Sequence, residues 1–246
     1  MPDLMWFGWA LLGVAAVIVG LSKTAVPGAG TVAVAIFAAV LPARQSTGTI
    51  LLLLIVADLF AVVTYRRFTN WRTLLRLAPA VIAGILVGVA FLFFADDTWV
   101  KRTIGVILLA VIAITLFRRR MTAPVGDAGR HRLAAATYGT LSGFTTMVAN
   151  AAGPVMSMYF LAMRFPVKEF LGTAAWFFAI VNLSKLPFSF GLGLITVPGL
   201  LVDLVLVPLV VAGALFGRWL AGRLNQVVFE RLVITFTVIG ALYLLI

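Results

Sequence analysis

Cysteine is absent from this 246-residue chain, histidine occurs once, and eight acidic side chains stand against nineteen Lys and Arg. Without cysteine there are no disulfides, thiolate metal sites or cysteine nucleophiles. The lone His131 lies between Arg130 and Arg132. It reads as a solvated linker residue, because a histidine metal site draws on several ligands. No metal, cofactor or catalytic residue is expected. The only glutamates, Glu169 and Glu230, fall at the ends of apolar segments, which leaves little for acid–base catalysis. Charged residues make up only 11% of the chain, too few for the surface of a soluble domain of this size.

Apolar residues are abundant instead. They make up 63% of the sequence, in runs separated by short polar turns, so lipid is the expected solvent. The formal charge of +11 does not form a stripe with interleaved aromatics, so no nucleic-acid partner is expected. The basic residues sit mostly in the turns, as the positive-inside bias of membrane proteins requires. No basic stretch precedes the run Leu4 to Val19, which therefore reads as part of the mature protein rather than a cleaved signal.

Landmarks recur in order along the chain. Pro42, Gly48-Thr49 and Asp58 are matched by Pro166, Gly172-Thr173 and Asn182, and Pro79, Gly84 and Gly88 by Pro208, Gly213 and Gly217. Lys101-Arg102 likewise falls opposite Glu230-Arg231. Such a series implies duplication, with a first repeat over 1–117, a basic linker over 118–132 and a second repeat over 133–246. Each repeat reads as five apolar segments: 4–21, 31–41, 47–65, 74–94 and 103–117, then 133–148, 154–163, 171–187, 200–219 and 231–246. The second segment of each half is too short to span, and the opening one of the second half is also read as short, bracketed by Arg132 and Asn150. Short segments interrupted by Gly and Pro at corresponding places predict a broken or re-entrant hairpin in each half. The expected fold is an all-α integral membrane protein of two inverted repeats. Inversion puts fourteen Lys and Arg inside and only Arg44, Lys101 and Arg102 outside, with both termini outside. A parallel arrangement of the halves is the alternative.

Lys23 and Lys185 belong to no loop cluster. Either can snorkel to the headgroups or supply positive charge to an anion site. The stretch Gly20 to Gly30, GLSKTAVPGAG, combines Ser22, Lys23 and Thr24 with Pro27, Gly28 and Gly30. A helix starting near Thr31 would turn free N–H groups and its positive end toward the membrane centre. The equivalent turn offers Thr145, Thr146, Asn150, Gly153 and Pro154, the proline being acceptable in a first helical turn. These residues are the candidate substrate site, although the glycines could equally serve close helix packing. Asp58 and Asn182, with Lys185, are candidates for coupling or gating. Asp58 can pair with a lysine, carry a coupling proton or lie near an interface. Trp6, Trp9, Trp71 and Trp99 are read as interfacial anchors.

Gly20 to Gly30, Pro42 with Gly48-Thr49, and their counterparts Gly143 to Pro154 and Pro166 with Gly172-Thr173 carry a resemblance across both halves. The chain resembles the sulfite exporter TauE/SafE family of bacterial membrane transporters, departing from its glycine-richer signature at Val26 to Gly30 and at Asn150 to Gly153. The resemblance implies a multi-pass protein of the bacterial inner (cytoplasmic) membrane that exports small sulfur-containing anions: sulfite, sulfonates or related organic anions. Its partners would be the anion and membrane lipid, with the oligomeric state, a homodimer included, left open. The competing class is an intramembrane enzyme acting on a lipid phosphate, which would need acid–base or metal-binding groups near the hairpin tips.

Overall fold

A computed structural model describes residues 5–96 and 128–243, together with Trp99, Thr103 and Val106. The fifth segment of the first half, 103–117, and the linker up to residue 127 lie outside these except for Thr103 and Val106. The described residues are helical with no strand: α1 (Trp6–Thr24), α2 (Gly30–Val40), α3 (Ala43–Tyr65), α4 (Trp71–Phe94), α5 (Ala128–Ala149), α6 (Ala152–Ala162), α7 (Val167–Gly191), α8 (Val197–Ala221) and α9 (Gln226–Tyr243). Five stretches, Trp6–Thr24, Gln45–Phe68, Trp71–Phe94, Val167–Gly191 and Val197–Ala221, are long and apolar enough to cross a membrane.

Prolines and a few polar residues set the breaks. Val26, ahead of Pro27, is driven out of the helical region (φ −134°, ψ 80°), which ends α1 and leaves a 3-10 turn at Pro27–Ala29 before α2. Leu41, ahead of Pro42, is extended and ends α2 after 11 residues. In the second half Asn150 adopts a left-handed conformation (φ 51°) between α5 and α6, a conformation Asn tolerates better than most side chains. Thus α6, also 11 residues long, starts at Ala152 with Pro154 in its first turn. Each half therefore has a helix break followed by a helix of 11 residues. Asn70 and Thr196 cap α4 and α8, their side chains accepting from Thr73 N and Gly199 N.

One segment differs from its reading. The opening helix of the second half is not short: α5 has 22 residues and runs back through Arg130, His131 and Arg132 to Ala128. Charge ends an apolar run but not a helix, since Arg is a good helix former at a membrane surface. Helices α4, α7 and α8 likewise extend past their apolar cores, α7 from Val167 to Gly191 against a reading of 171–187.

Packing crosses between the halves. The apolar cluster around Leu12, Ala16, Phe37, Leu53 and Ala57 is completed by Val202, Leu206 and Val210 of α8. The cluster around Tyr138, Met156, Tyr159 and Phe170 is completed by Leu77, Val81 and Ile85 of α4. Glycines let these partners approach backbone to backbone. Gly20 lies against Val210 and Ala214, and Gly143 against Val81 and Ile85; Gly213 lies against Val17, and Gly84 against Thr140. A Cβ at any of the four would overlap backbone atoms of the facing helix. Without a hydrophobic force between helices in lipid, such contact is the main adhesive term. Each crossing of α1 with α8 is thereby repeated, at landmark positions, by α4 with α5.

Helices α3 and α7 run antiparallel through the middle. Gly172, near the start of α7, packs on Tyr65 and Phe68 at the end of α3, while Gly48, near the start of α3, packs on Leu194 beyond α7. Hydrogen bonds tie the first of these ends: Thr69 Oγ1 donates to Gly172 O (3.2 Å), Asn70 N to Thr173 Oγ1 (2.9 Å) and Asn70 Nδ2 to Glu169 Oε1 (2.8 Å). Arg66 and Arg67 form the 3-10 turn at this end, and Lys168 sets its ammonium 5.4 Å from the Phe68 ring centre. Trp6, Trp71 and Trp99 are exposed, whereas Trp9 is half-buried against the first cluster.

Candidate functional site

The breaks after α1 and α5 meet inside the bundle. A Cβ at Gly153 would come within 3.0 Å of Pro27 O, so the two turns are in direct contact. Beside them opens a small cavity, with Ser22, Lys23, Gly30, Thr31, Thr146, Asn150, Gly153 and Asn182 in its wall. Sequence reasoning had singled out all eight. The first turns of α2 and α6 thus both border one space.

Three ionisable side chains surround it. Lys23 Nζ lies 2.9 Å from Asp58 Oδ1 and 4.0 Å from the Phe178 ring centre. The second oxygen of Asp58 accepts from Asn182 Nδ2 at 2.6 Å, joining α3 to α7 at their matched polar positions. Of the three roles open to Asp58 from sequence, a structural pair with a lysine is the one its geometry displays. Lys185 is buried behind the wall. Its Nζ donates to Thr146 O (2.8 Å), Thr146 Oγ1 (3.0 Å) and Asn150 Oδ1 (2.5 Å). Asn150 Nδ2 in turn donates to Thr47 O at 2.9 Å, which fixes the orientation of that amide. Neither lysine snorkels: Lys185 is 1% exposed and the Lys23 side chain 9%.

Besides Asp58 and Lys185, three candidates sit outside the wall. Thr24 Oγ1 donates to Gly20 O and across the α1–α8 crossing to Ala214 O (3.0 Å), making it a packing residue. Its carbonyl accepts from Tyr65 OH at 2.7 Å. Thr145 Oγ1 donates to Ser142 O within its own helix. Gly28 is buried in the 3-10 turn, with its carbonyl accepting from Thr31 Oγ1 at 2.8 Å. Conversely, the wall includes Leu54, Ala174, Ala175 and Phe178, which sequence reasoning passed over as a binding surface. Apolar residues on apolar helices carry no signal of their own. The spacing of Phe178 one turn from Asn182 was the available hint.

A bundle of spanning helices around a buried, charged cavity at two helix breaks defines a multi-pass membrane protein with its site inside the bundle. The model of the sulfite exporter TauE/SafE family matches residues 12–244. The chain belongs to this family of membrane transporters, the one its sequence motifs resembled. Comparison with curated proteins and with solved structures gave no match.

Proposed function

We propose that the protein exports small sulfur-containing anions, such as sulfite, sulfonates or related organic anions, across the bacterial cytoplasmic membrane by alternating access. The observation that carries this reading is a pair of buried lysines at the cavity, of which Lys23 is paired with Asp58 while Lys185 is held by Thr146 and Asn150 alone. A buried cation without a counter-ion is costly in a membrane, and an anion bound there removes that cost. Ser22, Lys23, Thr31, Thr146 and Asn150, with backbone N–H groups near Gly30 and Gly153, are the proposed ligands. Lys185 supports Thr146 and Asn150 from behind.

Two inverted repeats would supply the moving parts. Supporting this are the glycine crossings shared by α1–α8 and α4–α5, and the antiparallel course of the equivalent helices α3 and α7. The basic end that holds Arg66, Arg67 and Lys168 is proposed to be cytoplasmic. Rocking of one repeat against the other would open the site to either side. The membrane potential, at ~2.3 kcal/mol per charge per 100 mV, favours anion exit from a negative interior without a coupling ion.

The test is flux of sulfite and isethionate from liposomes holding purified protein, with Lys23→Ala alongside. Flux by the wild type and its loss in the variant is expected. An inert wild type that instead releases phosphate from a lipid phosphate would replace the transporter with an intramembrane enzyme.

A further inference from the structure

Asp203 carries a carboxyl group that the anion cavity does not use. It lies on α8 among the buried residues Gly199, Val202, Leu206 and Val210, and is itself 5% exposed. Val202, Leu206 and Val210 pack on Leu12 of α1 and on Leu53 and Ala57 of α3. Along α8, Asp203 falls between two contacts with the first half, Gly199 against Thr49 of α3 and Leu209 against Gly13 of α1. Asp58, Asp96, Glu169 and Glu230 each accept a hydrogen bond. Neither oxygen of Asp203 has a partner among the described residues. The register that pairs Pro79 with Pro208 sets Leu74 opposite Asp203, and Leu74 is buried in the packing of α4. An apolar side chain thus meets the needs of packing at the equivalent place, which leaves the carboxyl to be explained.

No charge among the described side chains compensates an ionised Asp203. On α1 the ionisable group is Lys23, which is paired with Asp58. Its neighbour Thr24 bonds Ala214, ~16 Å further along α8 than Asp203. On α3, Asp58 is held by Lys23 and Asn182, and Tyr65 by Thr24 O. Arg44 belongs to the start of α3, on the far side of the Thr49–Gly199 contact from Asp203. Arg218 is further along α8 than Ala214.

We infer that Asp203 is a proton-binding site, separate from the anion cavity, whose proton lets α8 close against α1 and α3. An ionised carboxylate sealed there without a donor is costly, and a proton removes that cost. Helix α8 belongs to the second half and α1 and α3 to the first, so motion of one half against the other parts this face. Water then reaches Asp203 and the proton leaves. Return to the closed packing takes one proton back from the same solution, which is the outer one in the orientation proposed above. No path through the anion cavity is needed. The role in closing rests on the anion-transport reading and its moving halves, whereas the proton site itself does not.

Infrared spectra of purified wild type, Asp203→Asn and Asp203→Leu at about pH 7 read the proton directly. The C=O band of a protonated carboxyl is expected in the wild type and is expected to be missing, in that part, from both variants. Asparagine and leucine fill the place without charge, so both variants are expected to fold. Isethionate, a monoanion throughout, is then followed out of liposomes from about pH 6 to about pH 9. Wild-type flux should fall as pH rises, by up to ~10-fold per pH unit, the slope of a single proton, and either folded variant should lose that dependence. An infrared band unchanged by the substitutions, or failure of both neutral variants to fold, overturns the proton site. The band with an unchanged pH profile in a folded variant overturns the role in closing. The band with no isethionate flux at any pH upholds the proton site and overturns the transport reading, and the role in closing with it.

Discussion

Removing Lys23 should destabilise the protein far more than removing Lys23 and Asp58 together. Asp58 is 0% exposed, with one oxygen 2.9 Å from Lys23 Nζ and the other held by Asn182. In Lys23→Gln the carboxylate stays buried with its ammonium gone, a situation that costs ~3–5 kcal/mol. Asp58→Asn strands the lysine instead, but its ammonium retains the Phe178 ring at 4.0 Å and an edge on the cavity. A loss of ~2 kcal/mol is expected there, below the range for a fully enclosed charge because the ring and the cavity retain part of its solvation. The double variant leaves two neutral, hydrogen-bonding side chains in the same place and should cost ~1–2 kcal/mol, near that of an ordinary core change. The coupling between the sites is then ~3 kcal/mol or more, well above the ~0.5 kcal/mol within which independent sites add. Reversible unfolding in mixed micelles, run as a double-mutant cycle, measures it directly. Stability of the double variant should return without transport, because Lys23 is a proposed ligand as well as a partner. Additive losses would refute the account of the pair, and restored flux in the double variant would remove Lys23 from the site.

Gly20→Val and Gly143→Val should both abolish folded yield on size-exclusion chromatography, since each added side chain meets backbone of the facing helix, whereas Gly191→Ala, with open space around it, should be silent. Lys185→Met leaves Asn150 Oδ1 without its donor and Thr146 O with only the Asn150 N–H, and is expected to reduce anion flux ~10-fold or more by loosening the wall they form. Asn70→Ala removes both the cap on Thr73 N and the bond to Glu169, for a loss of ~1–2 kcal/mol in the same unfolding assay. Cysteines placed at Thr69 and at Gly193 should label from opposite sides of the membrane, the first from the cytoplasm.

Much of the site was legible as pattern. Two interrupted turns at matching places, each with hydroxyls and a proline near a helix start, marked seven residues that share one cavity, and the match to Asp58 marked the eighth, Asn182. The same pattern swept in Thr24 and Thr145, because a hydroxyl used between helices and one facing a cavity look alike in sequence. Lys185 was conspicuous as a buried cation, yet its anchorage on Thr146 and Asn150 depends on where α5 and α7 cross. Helix ends were read too short wherever charge stopped an apolar run but not the helix, as at Arg130 to Arg132 of α5.

The sequence by itself determined that the chain lives in a membrane, where its helices break, and which family it resembles. These follow from hydropathy, from the missing N–H and fixed torsion of proline, and from ordered landmarks, all local along the chain. Only the tertiary structure decided that Lys23 pairs with Asp58, that Asn182 completes the pair from the other half, and that the two breaks touch. Those outcomes depend on how helices approach one another, the last two across the halves, and short-range contact between segments distant along the chain has no signature in either segment alone.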